Sequence, residues 1–139
     1  LPRKKMRERW FKNNTEKVIL ENKISSYEGR YKQSKKIINN NLKFFSDLYD
    51  RNYGKVIKTL QVQYLREYFK FKDMRLTFDS NIKYKGLRKS HFHYQKDSHS
   101  VVEIKTNFDI EDDYIEKFFN VSWSRFSKYA RGVILVSYN

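Results

Sequence analysis

Charged residues spaced two apart in short strand-like segments are the feature that most constrains this chain. Residues two apart on a β-strand point to the same face of a sheet, so each pair presents both charges to one side. The clearest pairs are Arg7 and Arg9 in MRERW, Glu21 and Lys23 in VILENK, and Glu103 and Lys105 in VVEIK. If these strands share one sheet, the charges converge on one surface.

Such a surface suits a polyanion that carries a divalent cation. Arg66 in YLREYF and Arg75 in MRLTFD add single cations to neighbouring segments. Phosphate oxygens accept charge-assisted hydrogen bonds from Arg and Lys, while a divalent metal takes oxygen ligands such as carboxylates. The pattern therefore indicates phosphate chemistry.

Composition restricts the class of protein without choosing a single partner. A chain of 139 residues is long enough for one domain with a core and short for two, so we expect one domain over residues 1–139. The formal charge of +14 predicts an anionic partner, and nucleic acid, an anionic membrane surface and polyphosphate all satisfy it. The absence of cysteine excludes disulfides, thiolate nucleophiles and Cys-type zinc sites, and is compatible with the cytoplasmic location that we expect.

The sequence has no apolar run of the roughly 18–20 residues needed for a transmembrane helix.

The spacing of apolar residues predicts a mixture of strands and helices. Alternation predicts strands over 4–11, 17–24, 60–71, 74–78 and 101–106, with Asp79-Ser80-Asn81 ending the fourth. Helical stripes predict helices over 37–49, 109–119 and 122–131, the last capped by Gly132 and followed by a strand over 133–138. Residues 84–100 hold all three histidines and are predicted to form a loop or an irregular hairpin with solvated, rather than metal-binding, imidazoles.

Seven of these segments, in order, resemble the VTC domain of polyphosphate polymerases, within the triphosphate tunnel metalloenzyme or CYTH-like superfamily. They are RERW, ILENK, a basic segment containing Lys32, VQYLREYF, MRLTFDSNI, VVEIK and SRFSKYARG. Each motif alone is weak, but their joint order is specific and covers most of the chain. The resemblance implies an α+β fold in which an antiparallel β-barrel encloses a basic tunnel and helices pack outside it.

The resemblance also implies roles for individual residues. It places Arg66, Arg75 and Lys128 in catalysis and in phosphate binding, and Glu103 as the ligand of Mn or Mg, with Glu21 as a second candidate ligand. Further phosphate-binding positions implied by the matching motifs are Arg7, Arg9, Lys23, Lys32 and Arg125. The family begins with a lysine-tyrosine strand and an S-x-Y-F-D strand pair that have no counterpart here. We therefore expect this chain to be part of a longer protein, in which a membrane domain is compatible with the family.

The implied activity is transfer of the ATP γ-phosphoryl group to a growing polyphosphate chain, with ATP and polyphosphate as partners and no specific nucleic acid. Phosphoryl transfer needs positioned charges more than a nucleophilic side chain, so the absence of a P-loop or of a Ser-His-Asp order is no objection. Three alternatives stay open. They are a triphosphate hydrolase, which the absence of E-x-E-x-K disfavours, a polyphosphate-binding module without turnover, and a basic RNA-binding domain.

Overall fold

The computed structural model describes residues 3–12, 14–38, 48–87, 93–107, 112–120 and 122–137. The chain divides into two compact units, Leu1–Lys55 and Val56–Asn139. The expectation of a single domain stays a prediction. No helix within the described ranges has the length and apolar character needed to cross a membrane.

The first unit contains a three-stranded antiparallel sheet. Its strands are β1 (Arg3–Phe11), β2 (Asn14–Ser25) and β3 (Arg30–Ile38), in the order β1-β2-β3. A separate two-stranded pair consists of β4 (Leu48–Asp50) and β5 (Gly54–Val56). The buried Asp50 carboxylate accepts backbone hydrogen bonds from Asn52 at 3.0 Å and Tyr53 at 3.3 Å, which shapes the turn between β4 and β5.

The second unit is a four-stranded antiparallel sheet with two short helices. The strands are β6 (Leu60–Phe71), β7 (Met74–Gly86), β8 (Gln95–Lys96) and β9 (Val101–Lys105). β7 is central, because it pairs with β6 on one side and with both β8 and β9 on the other. The helices are α1 (Asp112–Glu116) and α2 (Lys128–Ser137).

The expected α+β barrel with helices packed outside is wrong. Strands dominate the described residues, the two helices found there are short, and the three sheets stay open instead of closing on themselves. The predicted helix over 37–49 is strand at both ends, in β3 and in β4, while residues 39–47 lie outside the described part of the chain. The fold is therefore mainly β.

β7 continues through the segment that was expected to end it. Gln63 pairs with Lys83 and Leu65 pairs with Ser80, so Asn81 and Ile82 together oppose one residue of β6. Asn81 has a φ of 49°, a left-handed conformation that Asn tolerates and that accommodates the extra residue of a β-bulge. The strand therefore extends to Gly86 instead of stopping at the polar step.

The C-terminal segment was predicted wrongly. Residues 122–127 are not helical, and residues predicted as a helix cap and a final strand form α2 instead. Gly132 is buried inside this helix, where an added Cβ would lie 2.5 Å from Tyr84 Cδ1 and 2.6 Å from Leu60 Cδ2. The glycine lets α2 approach the sheet closely, and this packing outweighs the β-propensity of the following Val and Ile residues.

The core of the second unit lies between the sheet and its helices. Met74, Ile82 and Tyr84 are fully buried, and Ile115 of α1 is nearly so. Phe71 packs edge-to-face against Phe118, with ring centroids 5.6 Å apart, directly after α1. This packing fixes β7, and with it the charged residues on that strand.

Candidate functional site

The three strands of the first unit present one strongly basic face. Direct cross-strand partners share a face, and the register pairs Arg7 with Glu21 and Lys23 with both Lys5 and Lys32. Among the residues whose side chains the structure describes, this side carries eight cations and a single carboxylate, Glu21. We call this side the first basic face, and its cations are Arg3, Lys5, Arg7, Arg9, Lys23, Arg30, Lys32 and Lys36.

Glu21 is the centre of this face. Its side chain is only 2% exposed. Arg7 donates to Glu21 Oε2 from Nε at 2.7 Å and also from Nη2, and Lys32 Nζ lies 2.9 Å from Glu21 Oε1. Arg9 Nη1 lies 3.8 Å from the same oxygen. One buried carboxylate thus holds cations from β1 and β3 in fixed positions.

The electrostatics of the face follow from this contact set. Burial by itself raises the pKa of Glu21, but hydrogen bonds from Lys32 and Arg7 outweigh it and lower the pKa to about 2. Partial burial lowers the pKa of Lys5, and the nearby charges of Lys23 and Arg7 lower it further. The carboxylate is therefore ionised at neutral pH, and the cations around it are crowded enough to repel one another.

The sheet of the second unit also presents charge on one face. Cross-strand pairing places Lys70, Arg75 and Lys105 in one row, and Tyr68, Thr77 and Glu103 in the next. A third row contains Arg66 and Asp79. We call this side the second basic face, and it comprises Arg66, Lys70, Arg75, Asp79, Glu103 and Lys105, with Lys128 reaching it from α2.

Asp79 holds two cations from different elements. Its side chain is 1% exposed, and Arg66 donates to it in a bidentate manner, from Nε to Oδ1 at 2.6 Å and from Nη2 to Oδ2 at 2.7 Å. Lys128 donates to Asp79 Oδ2 from the first turn of α2. Burial raises the pKa of Asp79, but Arg66 and Lys128 outweigh it and lower the pKa below its ordinary value. The hydrogen bond to Asp79 likewise raises the pKa of Arg66.

Glu103 is the carboxylate that can take a metal on this face. It is 46% exposed, with Lys105 Nζ 3.4 Å from one oxygen and Arg66 Nη2 3.9 Å from the other. Within the described ranges, no three His, Asp or Glu side chains are grouped as metal ligands. Mg²⁺ is commonly held by one or two carboxylates together with phosphate oxygens, so the half-exposed Glu103 fits a metal shared with a bound phosphate. Glu21 is nearly fully buried and both its oxygens lie within hydrogen-bond distance of cations, which favours a positioning role.

Other predicted positions are more exposed. Arg75 is exposed on the second basic face and forms no ion pair with another described residue. Lys23 is exposed on the first basic face beside Lys32. Arg125 is exposed before α2 and lines a shallow groove together with Phe126, Ser127 and residues of α2. The structure therefore groups Arg7, Arg9, Glu21, Lys23 and Lys32 within the first unit, and Arg66, Arg75, Glu103 and Lys128 within the second.

A second buried carboxylate in this unit was not anticipated. Asp97 accepts hydrogen bonds from Tyr84 Oη at 2.8 Å and from Arg131 Nε, which lies 2.7 Å from Oδ2. Burial raises the pKa of Asp97, but Arg131 and the His99 backbone amide outweigh it and lower the pKa to about 2. Asp79 also escaped sequence reasoning, although its spacing from Arg75 and Thr77 in R-x-T-x-D places it on their face. No comparable spacing marks Asp97.

Of the three histidines, His93 and His99 lie within the described residues. His93 is exposed, and His99 Nδ1 lies 2.7 Å from Arg131 Nη2. His91 lies outside the described ranges.

Among the comparisons with known proteins, a family model matches this chain. Searches of curated proteins and of solved structures found no match. A family model described as the VTC domain matches residues 1–137, nearly the whole chain. A VTC domain is consistent with a polyphosphate-related function, and the match agrees with the motif order in the sequence. The chain belongs to the VTC domain family.

Proposed function

We propose that this chain is a polyphosphate polymerase domain, which transfers the γ-phosphoryl group of ATP to the end of a polyphosphate chain. The observation that carries the proposal is the use of a nearly fully buried carboxylate to hold cations on each basic face. Glu21 holds Arg7 and Lys32, and Asp79 holds Arg66 and Lys128. Cations fixed before the substrate arrives need no reorganisation during the reaction. Such preorganised electrostatic stabilisation is the main contribution that a protein makes to phosphoryl transfer.

The chemistry needs no protein nucleophile. A terminal oxygen of the acceptor phosphate chain attacks the γ-phosphorus of ATP, the bond from that phosphorus to the β–γ bridging oxygen breaks, and ADP leaves with the bond's electron pair. Negative charge builds on the bridging oxygen and stays spread over the transferred group. Arg66, Arg75 and Lys128 would neutralise this charge on the second basic face, while Arg7, Arg9, Lys23 and Lys32 would bind phosphates on the first. Arg125, which lies just before α2, would add a further phosphate contact.

The two kinds of cation have different parts in this scheme. Two nitrogens of the Arg66 guanidinium are already committed to Asp79, so its remaining N–H groups are the ones aimed at phosphate. Arg75 forms no ion pair with another described residue, so all the N–H groups of its guanidinium can bind phosphate oxygens in two-point geometry. Glu103 would hold Mg or Mn, which supplies charge neutralisation at the phosphate oxygens when bound.

A product assay tests the proposal. The purified protein is incubated with ATP and Mn, and the products are examined for acid-stable polymer that exopolyphosphatase degrades. We expect such polymer. Free phosphate without polymer would indicate a triphosphate hydrolase, and tight binding of long-chain polyphosphate without any product would indicate a binding module. Preference for RNA over polyphosphate at matched salt would indicate a nucleic-acid-binding domain, and each of these three results would overturn the polymerase.

A further inference from the structure

Thr77 has a buried hydroxyl that no described residue satisfies. It lies on the central strand β7, between Arg75 and Asp79 on the second basic face. Its Oγ1 atom is buried and forms no hydrogen bond within the described part of the chain. Buried hydroxyls are nearly always hydrogen-bonded, because removing a hydroxyl from water without a partner costs free energy. A buried hydroxyl without a partner therefore indicates a ligand that binds here from outside the chain.

The carboxylates beside Thr77 are oriented by cations. Asp79 follows two residues later, and its oxygens accept hydrogen bonds from Arg66 and Lys128. Glu103 is the direct cross-strand partner of Thr77, and one of its oxygens lies 3.9 Å from Arg66 Nη2. Neither carboxylate accepts a hydrogen bond from the Thr77 hydroxyl. The hydroxyl is therefore left to donate to an acceptor that the ligand supplies.

The charges around this hydroxyl select an anion as the ligand. Arg66 lies opposite Asp79, and its Nη2 also approaches Glu103 on β9, so its guanidinium extends across β7 next to Thr77. Arg75 lies on the other side of Thr77 along the strand, is exposed and forms no ion pair with another described residue. Two guanidinium groups repel a metal cation placed at the hydroxyl and attract an anionic oxygen placed there.

The side chains on either side of Thr77 are exposed enough to admit a ligand. Its cross-strand neighbours are Tyr68 on β6, which is 68% exposed, and Glu103 on β9, which is 46% exposed. Exposed side chains change rotamer within picoseconds to nanoseconds, so a ligand oxygen can reach the hydroxyl without movement of the backbone. The strand itself is held in place by the fully buried Met74 and Ile82.

We propose that the Thr77 hydroxyl donates a hydrogen bond to a phosphate oxygen that binds between Arg66 and Arg75. This inference rests on the proposed function, which brings a triphosphate to the second basic face. The hydroxyl is a short, uncharged donor fixed on the strand, whereas the guanidinium groups are charged and lie at the ends of long side chains. Thr77 thus binds the substrate through a directional contact and adds nothing to charge neutralisation.

Thr77→Val tests this inference, because it removes the hydroxyl and nearly keeps the shape of the side chain. Affinity for tripolyphosphate is measured by calorimetry, and stability is measured as the thermal midpoint of the free protein. We expect tripolyphosphate to bind about tenfold or more weakly. The midpoint should stay equal to that of wild type or rise by up to about 4 °C, because an unsatisfied hydroxyl is lost. A hydroxyl that only stabilises the fold would give the opposite result, with a lower midpoint and unchanged affinity.

Two further variants and a salt series make the outcome decisive. Thr77→Ser keeps the hydroxyl and should bind tripolyphosphate within about threefold of wild type, although loss of the methyl group lowers the midpoint. Thr106→Val removes a threonine hydroxyl directly after β9 and should change the affinity by less than about twofold. Because the hydroxyl is uncharged, the affinity loss in Thr77→Val should persist at high salt, whereas the loss in Arg75→Gln should shrink.

The inference and the proposed function can fail separately. Unchanged tripolyphosphate affinity in Thr77→Val, or a midpoint below that of wild type, would overturn the inference, and polymer formed from ATP would still support the polymerase. If Thr77→Val weakens tripolyphosphate binding without lowering the midpoint but no polymer forms, the hydroxyl contact stands and the polymerase is wrong. Weaker binding of Mn²⁺ alone to Thr77→Val, followed by electron paramagnetic resonance, with normal tripolyphosphate binding would make the hydroxyl a metal ligand and overturn the inference. Failure of the wild-type protein to bind tripolyphosphate would overturn both.

Discussion

Lys128 and Asp79 lie 49 residues apart in the sequence and form an ion pair that joins the start of α2 to the middle of β7. The same carboxylate accepts two hydrogen bonds from Arg66 on β6. Three elements of the second unit therefore meet at one buried aspartate. The two cations that it fixes are positions at which the VTC resemblance implies phosphate contact.

Asp79→Asn tests the importance of this junction. The amide cannot neutralise Arg66 and Lys128, which are mostly buried beside it, so we expect the free energy of unfolding to fall by about 3 kcal/mol. Urea denaturation followed by circular dichroism measures the change. Asp73→Asn, in the exposed turn between β6 and β7, is the matched control and should stay within about 0.5 kcal/mol of wild type. Equal effects of the two substitutions would show that the junction does not stabilise the unit.

Arg66→Lys separates the guanidinium fork from its charge. Lysine keeps the charge but has a single nitrogen, so it cannot donate to both oxygens of Asp79 as Arg66 does. We expect a loss of about 1–2 kcal/mol in unfolding free energy and a tenfold or greater loss in polymer formation. Arg75→Lys is the comparison, because Arg75 has no ion pair among the described residues, and it should lower activity while leaving stability unchanged. Full stability and full activity in Arg66→Lys would contradict the role given to the fork.

The pH dependence of stability should reflect Glu21. Its pKa in the folded chain is about 2, below the ordinary value of 4.5, so the ionised side chain stabilises the fold above about pH 4.5. That contribution is lost as the pH falls from 4.5 through about 2. Glu21→Gln should therefore be less stable than wild type near neutral pH, by about 1–3 kcal/mol, and the difference should shrink on acidification. Denaturant titrations over this range measure it, with the exposed Glu28→Gln as control. A difference that stays constant over the range would contradict the assignment.

Gly132→Ala tests the close packing of α2 on the sheet. Alanine favours a helix by about 1 kcal/mol over glycine, but its Cβ would lie 2.5 Å from Tyr84 Cδ1. We expect net destabilisation of about 1–3 kcal/mol, because side chains must move to admit the methyl group. Gly86→Ala is the control, since its added Cβ would meet Val136 at an ordinary 3.5 Å. Thermal denaturation that ranked the two variants in the opposite order would show that α2 does not lie as close to Tyr84 as described.

Local patterns predicted four of the strands well and the C-terminal segment poorly. Alternation located β1, β2, β6 and β9 to within a few residues, because each strand has polar and apolar sides. It failed at α2, where a run of β-branched residues is helical because buried Gly132 allows close contact with Tyr84 and Leu60. It also failed at Asn81, where a polar residue forms a bulge inside β7 and does not end the strand.

The placement of the cations on two sheet faces could be predicted from the sequence, but the carboxylates that hold them could be predicted only in part. Charged residues at two-residue spacing, such as Arg7 and Arg9, share a face in any strand, and the family motifs mark the rest. The contacts of Asp79 with Lys128 and of Asp97 with Arg131 depend on how α2 docks on the sheet, and no local pattern encodes this docking. The open sheets show a similar limit, because closure of a barrel depends on pairing between distant strands.

The fate of the γ-phosphorus of ATP tests the central claim most directly. Phosphorus NMR of the protein with ATP and Mg follows this atom without assuming a product. We predict that the γ signal decreases while signals of mid-chain phosphate grow in step with ADP, and that Arg75→Ala suppresses both changes. Conversion of the γ signal into orthophosphate alone, or its persistence while ATP remains intact, would contradict the account.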